Sequence, residues 1–532
     1  MTLRLTAVLV VLVCWSASAW AVTDPSQVKD ENNAVKMLAE YFDLLVSGNQ
    51  ESAMYLWTPA VLDRAQRLGI TYSGIPLKVD CSSPVVRNIP VMRRHLHPPV
   101  KAIYDLDSAY CRLLYSQLVA GDLVEHHYYA FYDGQYYWLT YPQDFYSANW
   151  PITRSRYFAI HTDPAALKQL NPVVLQEADS FVERLADSLD LSDSDLEHLA
   201  AGKIEYYYCG SDSLIHEMTG FRIKGTYDLA TDDIVSAFFP HYHEIVHLLI
   251  NYKLRTLPLY TQPIIREGVA VYYGGRWGKA PSALLDLGAF LYREKIVDLD
   301  SLLTMREFDA NSSADIAYPV AGLFVSYLLD NLEREAFWTL YRELSGDFSA
   351  VNDMTRMQMK DRLAIALGQT EWSVVLDGFD AYISRVVDER VPVLPGVLAD
   401  GKTALESDGY RIVADKEWLG FEFTRPTGTA ATGNLLFGKD ERLVGGGSEL
   451  YLKQYQDAMP FEGYRFGIRF DQYEVGLYDY ATDHLLAKYI WGITPSDEYY
   501  DEATNRVTVR FRKDLFDTDM LNKTKDCLLL EQ

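Results

Sequence analysis

The chain has 532 residues and a mass of 60.6 kDa, a length that at about 150 residues per domain argues for about three domains rather than one large core. A composition of 48% hydrophobic and 23% charged residues excludes disordered, collagen-like and polytopic membrane chains. The net charge of -25 sets a field that repels nucleic-acid phosphates and anionic lipid, so nucleic-acid binding is excluded first.

The first residues read as an address. Arg4 supplies a positive start, Leu5 to Trp15 an apolar run of eleven residues, and Ala19-Trp20-Ala21 a small-x-small cleavage pattern. Residues 1–21 are therefore expected to be a secretory signal peptide, which places the mature chain in the periplasm or outside the cell. The run is too short to cross a bilayer, and no membrane span is expected after cleavage. Export leaves Cys81, Cys111, Cys209 and Cys527 in a compartment where disulfides persist. Three pairings are open, and Cys81 with Cys111 is preferred because both fall in the first domain, with all four reduced and some buried as the alternative.

From about Asn32, the apolar residues Val35, Leu38, Phe42, Leu45 and Val46 recur at helical spacing, and Gly48 ends the run. Strands follow. Val124 to Ala130 and Gln135 to Thr140 flank Asp133-Gly134, a strong hairpin signal because both residues tolerate positive φ. Helix first and sheet after, with the stretch Phe42 to Trp57, resembles the nuclear transport factor 2-like fold. That resemblance implies a cone-shaped α+β domain over residues 22–158.

Residues 159–392 read as a mostly helical domain with a small sheet. Ala178, Phe181, Val182, Leu185 and Leu189 mark a helix and Ile204 to Cys209 a strand. Gly220, Gly225 and the Asp232-Asp233 pair mark turns. Residues 393–401 carry the punctuation of a linker. Beyond it the period drops to two, as in Tyr464, Phe466, Ile468 and Phe470, so 402–532 is expected to be a β-sandwich. Its aromatic content makes a glycan or envelope ligand a candidate partner, although aromatics filling a sheet face are the commoner case. The fold class is thus multidomain α+β.

The strongest chemical signal is Pro240-His-Tyr-His-Glu-Ile-Val-His247, which contains H-E-x-x-H as His243, Glu244 and His247. Residues four apart share a helix face, so two imidazoles can meet one metal ion while Glu244 projects toward the open coordination position. Pro240 is expected to open this helix, and His241 to be an exposed residue of its first turn, the commoner case, with a place near the metal as the alternative. A third ligand is offered by Glu267, in a short helix begun near Pro263 and stopped by two glycines. Gly268 and Ala270 keep that helix small enough to approach the first one. The adjacent His126 and His127 must face opposite sides of a strand and cannot share an ion.

H-E-x-x-H followed, after nineteen residues, by Glu-Gly-x-Ala resembles the gluzincin zinc metallopeptidases over about residues 160–390. The resemblance implies zinc on His243, His247 and Glu267, with Glu244 as general base acting on a peptide or protein substrate. It also implies that the stretch Thr226 to Phe239 is the strand edge along which an extended substrate pairs. Tyr318, at the start of an apolar helix, is the candidate oxyanion donor, with simple packing as its alternative. Ala270 and Val271 stand where thermolysin-like members carry an Asp, which leaves the partners of the ligand histidines unassigned. The rival reading is a catalytically silent envelope binding or scaffold protein that keeps a gluzincin-like domain.

Overall fold

The computed structural model describes residues 31–531 except 88–99, 106–108, 120–121, 167–169, 312–315, 399–400, 408–409, 425–432, 444–462, 471–474, 490–499, 502, 505 and 516–527. The expected signal peptide and Cys527 lie outside these residues.

Helix α1 (Glu31–Ser47) presents the apolar stripe read from the sequence, and Gly48 ends it at a φ of 82°. After α2 (Pro59–Gln66) come β1 (Val100–Asp105), β2 (Tyr110–Val119), β3 (Asp122–Tyr132) and β4 (Tyr137–Thr140), a four-stranded antiparallel sheet in chain order. The Asp133-Gly134 turn joins β3 to β4. The Asp133 carboxylate accepts the backbone N–H groups of Gln135 and Tyr136 at 2.8 Å each, which closes the hairpin. Tyr41 and Phe42 of α1 meet Trp57, Tyr115 and Tyr128 in an aromatic core of this first unit.

The central sheet comprises β5 (Ile152–Arg154), β6 (Phe158–Thr162), β7 (Ile204–Tyr208), β8 (Gly225–Asp228) and β9 (Asp233–Ser236), in the order β5-β6-β7-β9-β8. The pairs β6/β7 and β7/β9 are parallel, and β8 is an antiparallel outer strand. The single strand expected from Thr226 to Phe239 is therefore a hairpin. Helices α3 (Pro172–Ser188), α4 (Tyr242–Leu254), α5 (Pro263–Gly274), α6 (Pro281–Arg293) and α7 (Ala317–Asn331) supply a large share of the largest apolar cluster.

Two antiparallel sheets follow, and their inner faces share one core that includes Phe421, Phe437, Phe470 and Phe511. Val393–Pro395, inside the stretch read as a linker, instead forms a strand on Arg506–Arg512 of the first of these sheets. Its alternation was hidden by prolines, which an edge strand tolerates.

The expected Cys81–Cys111 disulfide is not formed. Both residues are buried, Cys81 in the central core and Cys111 in the N-terminal one, and they are not joined to each other. Their assignment to one domain was the error, because the segment around Cys81 packs across the boundary. Among the described residues, no helix is long and apolar enough to cross a membrane.

Candidate metal centre

Helix α4 is apolar nearly all round, and Ile245, Val246, Leu248, Leu249 and Ile250 are fully buried. Such a helix runs through a core rather than over it, so the polar residues it carries are held rigidly. Pro240 lies just before the cap residue His241 rather than inside the first turn. His243 and His247 share one face, with their Nε2 atoms 3.2 Å apart.

Helix α5 starts at Pro263, where a missing N–H leaves no bond unmade, and brings Glu267 to this pair. The Glu267 Oε2 atom lies 3.0 Å from His243 Nε2 and 3.4 Å from His247 Nε2. The approach of the two helices depends on Gly274, not on Gly268. A Cβ at Gly274 would lie 2.8 Å from the Tyr242 carbonyl in α4, whereas Gly268 faces Ala321 and Val325 of α7.

A tetrahedral zinc ion with bonds of about 2.0–2.2 Å needs donors about 3.3 Å apart. The observed separations of 3.0, 3.2 and 3.4 Å fit that requirement before any ion is added. Protonation states agree with it. Burial, the largest influence, lowers the His243 pKa and keeps its ring neutral against the pull of Glu267. Burial alone would raise the Glu267 carboxyl, but Arg266 and the two histidines hold it well below the usual carboxylate range.

The partner that the sequence left unassigned for His243 is a main-chain group. The Nδ1–H of His243 donates to the Gly275 carbonyl at 2.9 Å, which fixes the tautomer and turns Nε2 toward Glu267. Gly275 has a φ of 69°, and a Cβ there would fall 2.1 Å from the Lys279 carbonyl, so this turn requires glycine.

Glu244 lies beside the three donors, and its Oε2 accepts the backbone N–H of Tyr227 in β8 at 2.9 Å. The carboxylate is thus anchored to the outer strand. Tyr318 opens α7 with its ring 6.2 Å from that of His243. Burial, followed by the negative Glu267, pushes its hydroxyl up to about 12, so it keeps its proton at neutral pH. His241 is buried and not exposed. Its Nδ1 is 3.1 Å from the Ser236 hydroxyl, and burial holds its pKa well below the ordinary value. A cavity of about 390 Å³ unites His243, Glu244, His247, Glu267 and Tyr318 with Tyr72, Tyr227 and Arg276.

The N-terminal unit reaches this cavity through Tyr72, and the C-terminal unit packs against the elements behind it. Arg64 of α2 and the following Arg67 hold the fully buried Asp233 at 3.1 and 3.0 Å, and Lys78 holds Asp232 at 2.5 Å. Asp232 in turn accepts the Tyr227 hydroxyl at 2.7 Å, so the N-terminal unit grips the hairpin that anchors Glu244. Burial pushes the Asp233 carboxyl up, and the two guanidiniums pull it back. On the other side, Leu485 of the C-terminal unit exchanges backbone hydrogen bonds with Gly278 and Ala280, at 2.6 and 2.9 Å. His484 packs its ring 4.9 Å from Tyr242, next to the first histidine donor.

The i, i+3 spacing of Arg64 and Arg67 and the Asp232-Asp233 pair were visible in the sequence. The link between them was not, since about 165 residues separate the partners and the aspartates also fit a turn. Arg276, next to the double glycine, carried no signal of its own. Comparison of the chain with family models, with curated proteins and with solved structures finds no match.

Proposed function

We propose that this chain is an exported zinc-dependent metallopeptidase of gluzincin type, with His243, His247 and Glu267 as metal ligands. The observation that carries the reading is the convergence of three donors at zinc-compatible separations, with Glu244 on the same helix and outside the donor set. A zinc ion there would act as a Lewis acid, lowering the pKa of a water and polarising a carbonyl. Glu244, held by the Tyr227 amide, would be the base that takes a proton from a water in the cavity and passes it to the leaving amine. Tyr318 keeps its hydroxyl proton and so can donate to a developing oxyanion.

The outer strand β8 borders the cavity through Thr226 and Tyr227, which suits an extended peptide added along the sheet edge. We read residues 1–21 as the export signal and the helix-on-sheet unit after it as nuclear transport factor 2-like. The flanking units then brace the elements that carry the catalytic cavity. The test is hydrolysis of an unfolded protein by the zinc-loaded chain, with and without chelator. Chelator-sensitive cleavage is expected. One zinc per chain with no cleavage of any unfolded protein would favour the silent scaffold instead.

A further inference from the structure

We infer that Arg276 binds a substrate carboxylate, so that preferred substrates carry a free carboxylate, on an acidic side chain or at the chain end, close to the bond that is cut. The inference rests on the proposed reading of the cavity as a peptide-hydrolase site.

Two arginines line the cavity, and they are differently engaged. Arg266 binds Glu267 Oε1 through Nε at 2.9 Å and a terminal nitrogen at 2.7 Å. Arg276 comes no nearer to Glu267 than 3.7 Å, beyond hydrogen-bond reach, and its Nε is buried without a hydrogen-bond partner among the described residues. Its guanidinium instead lies over the Tyr318 ring, 3.4 Å from the centroid, and 4.7 Å from that of Trp277. A guanidinium that is mostly enclosed and has a buried nitrogen without a partner is unfavourable, and a planar carboxylate is the group that matches its fork.

The position is also rigid. Arg276 and Lys279 exchange two backbone hydrogen bonds of 2.9 Å, and the C-terminal strand at Leu485 pins the same turn from outside. Stacking on Tyr318 removes rotamer freedom that a binding event would otherwise have to remove. Charge points the same way. The molecule as a whole carries -25 and repels anions, yet among the described residues that line it a metal-loaded cavity would balance a divalent ion and two guanidiniums against Glu244 and Glu267. Within an acidic surface, this cavity is a place where an anion is favoured.

The experiment uses the full exported chain, zinc-loaded, in the Glu244→Gln form so that binding is read without turnover. A matched set of short fluorescent peptides differs only in carboxylates, with a free or amidated end and with Asp or Asn inside. The carboxylate peptide is expected to bind about 10- to 100-fold more tightly than its amide counterpart. Adding Arg276→Gln should erase that difference while zinc content and melting temperature hold, and Arg276→Lys should retain part of it. Loss on amidation would identify the chain end as the source, and loss on Asp→Asn the side chain. Equal binding of carboxylate and amide peptides, or a preference that survives Arg276→Gln, overturns the inference. Cleavage by the zinc-loaded parent is scored separately. Preferential binding without cleavage would sink the hydrolase reading and leave the carboxylate site standing, whereas cleavage without preference would sink Arg276 alone.

Discussion

Replacing Arg67 with alanine separates the support of the cavity from its metal chemistry. The Arg67 guanidinium donates to the carbonyl oxygens of Lys203, Thr231 and Asp232 at 3.1, 2.7 and 2.8 Å, and stands 3.0 Å from the buried Asp233 carboxylate. Truncating one member of a buried ion pair typically costs about 3–5 kcal/mol, because the remaining charge is left under-compensated. Arg64 stays 3.1 Å from Asp233 and limits that loss, so the expectation falls at the lower end, about 3 kcal/mol. At about 2–4 °C per kcal/mol for a body of 150–250 residues, the melting temperature should drop by about 6–12 °C. None of the three metal donors touches Arg67, so zinc should stay near one per chain. Hydrolysis should fall, because the loosened hairpin is the one whose Tyr227 amide holds Glu244. Calorimetry, metal analysis and turnover on one preparation decide the matter. An unchanged melting temperature, or loss of zinc at an unchanged melting temperature, would refute the reasoning.

Tyr318→Phe should keep zinc and slow turnover by about 10²–10³-fold, the loss seen when one oxyanion donor is removed; equal rates would assign Tyr318 to packing. Gly275→Ala forces a side chain at positive φ against the Lys279 carbonyl and displaces the acceptor of His243, so zinc affinity in a competition titration should fall by about 10–100-fold. Burial, followed by Asp233, pushes the Asp228 carboxyl up to about 6, above its unfolded value of about 3.9. The folded protein therefore holds this proton longer than the unfolded chain. The stability contributed is present below about pH 4 and is lost as pH rises through about 6. Asp228→Asn cannot ionise and should exceed the parent by about 1–2 kcal/mol at pH 8, allowing for solvent screening of a half-buried group, with no gain at pH 4 in urea melts of zinc-free protein.

What could be read from the sequence was what depends on short spacing. His243, Glu244 and His247 fall on one helix face because four residues make about one turn, and Glu267 followed because its helix was bounded by Pro263 and two glycines. The Asp133-Gly134 hairpin was legible for the same reason. What was missed depends on distant partners. Gly268 and Gly274 look alike in sequence, and only the packing shows that Gly274 meets the His-bearing helix while Gly268 meets α7. His241 looked like an exposed first-turn residue, but the hairpin before it folds back and buries it beside Ser236. The Cys81–Cys111 pairing failed because the boundary between the first two units is interdigitated. Thr71–Tyr72 pairs in parallel with Thr256–Leu257 just beyond α4, so part of the N-terminal unit belongs to the central core.

The central claim is that Glu267 holds the metal and Glu244 does the chemistry, and the measurement that tests it is zinc content paired with peptide hydrolysis in Glu267→Ala and Glu244→Gln. Glu267→Ala removes one of three donors and should lose zinc, together with the chelator sensitivity of its melting temperature. Glu244→Gln leaves His243, His247 and Glu267 in place and should keep about one zinc per chain while hydrolysis falls by about 10²–10⁴-fold. Equal zinc retention in both variants, or hydrolysis by Glu244→Gln at the parent rate, would contradict the account.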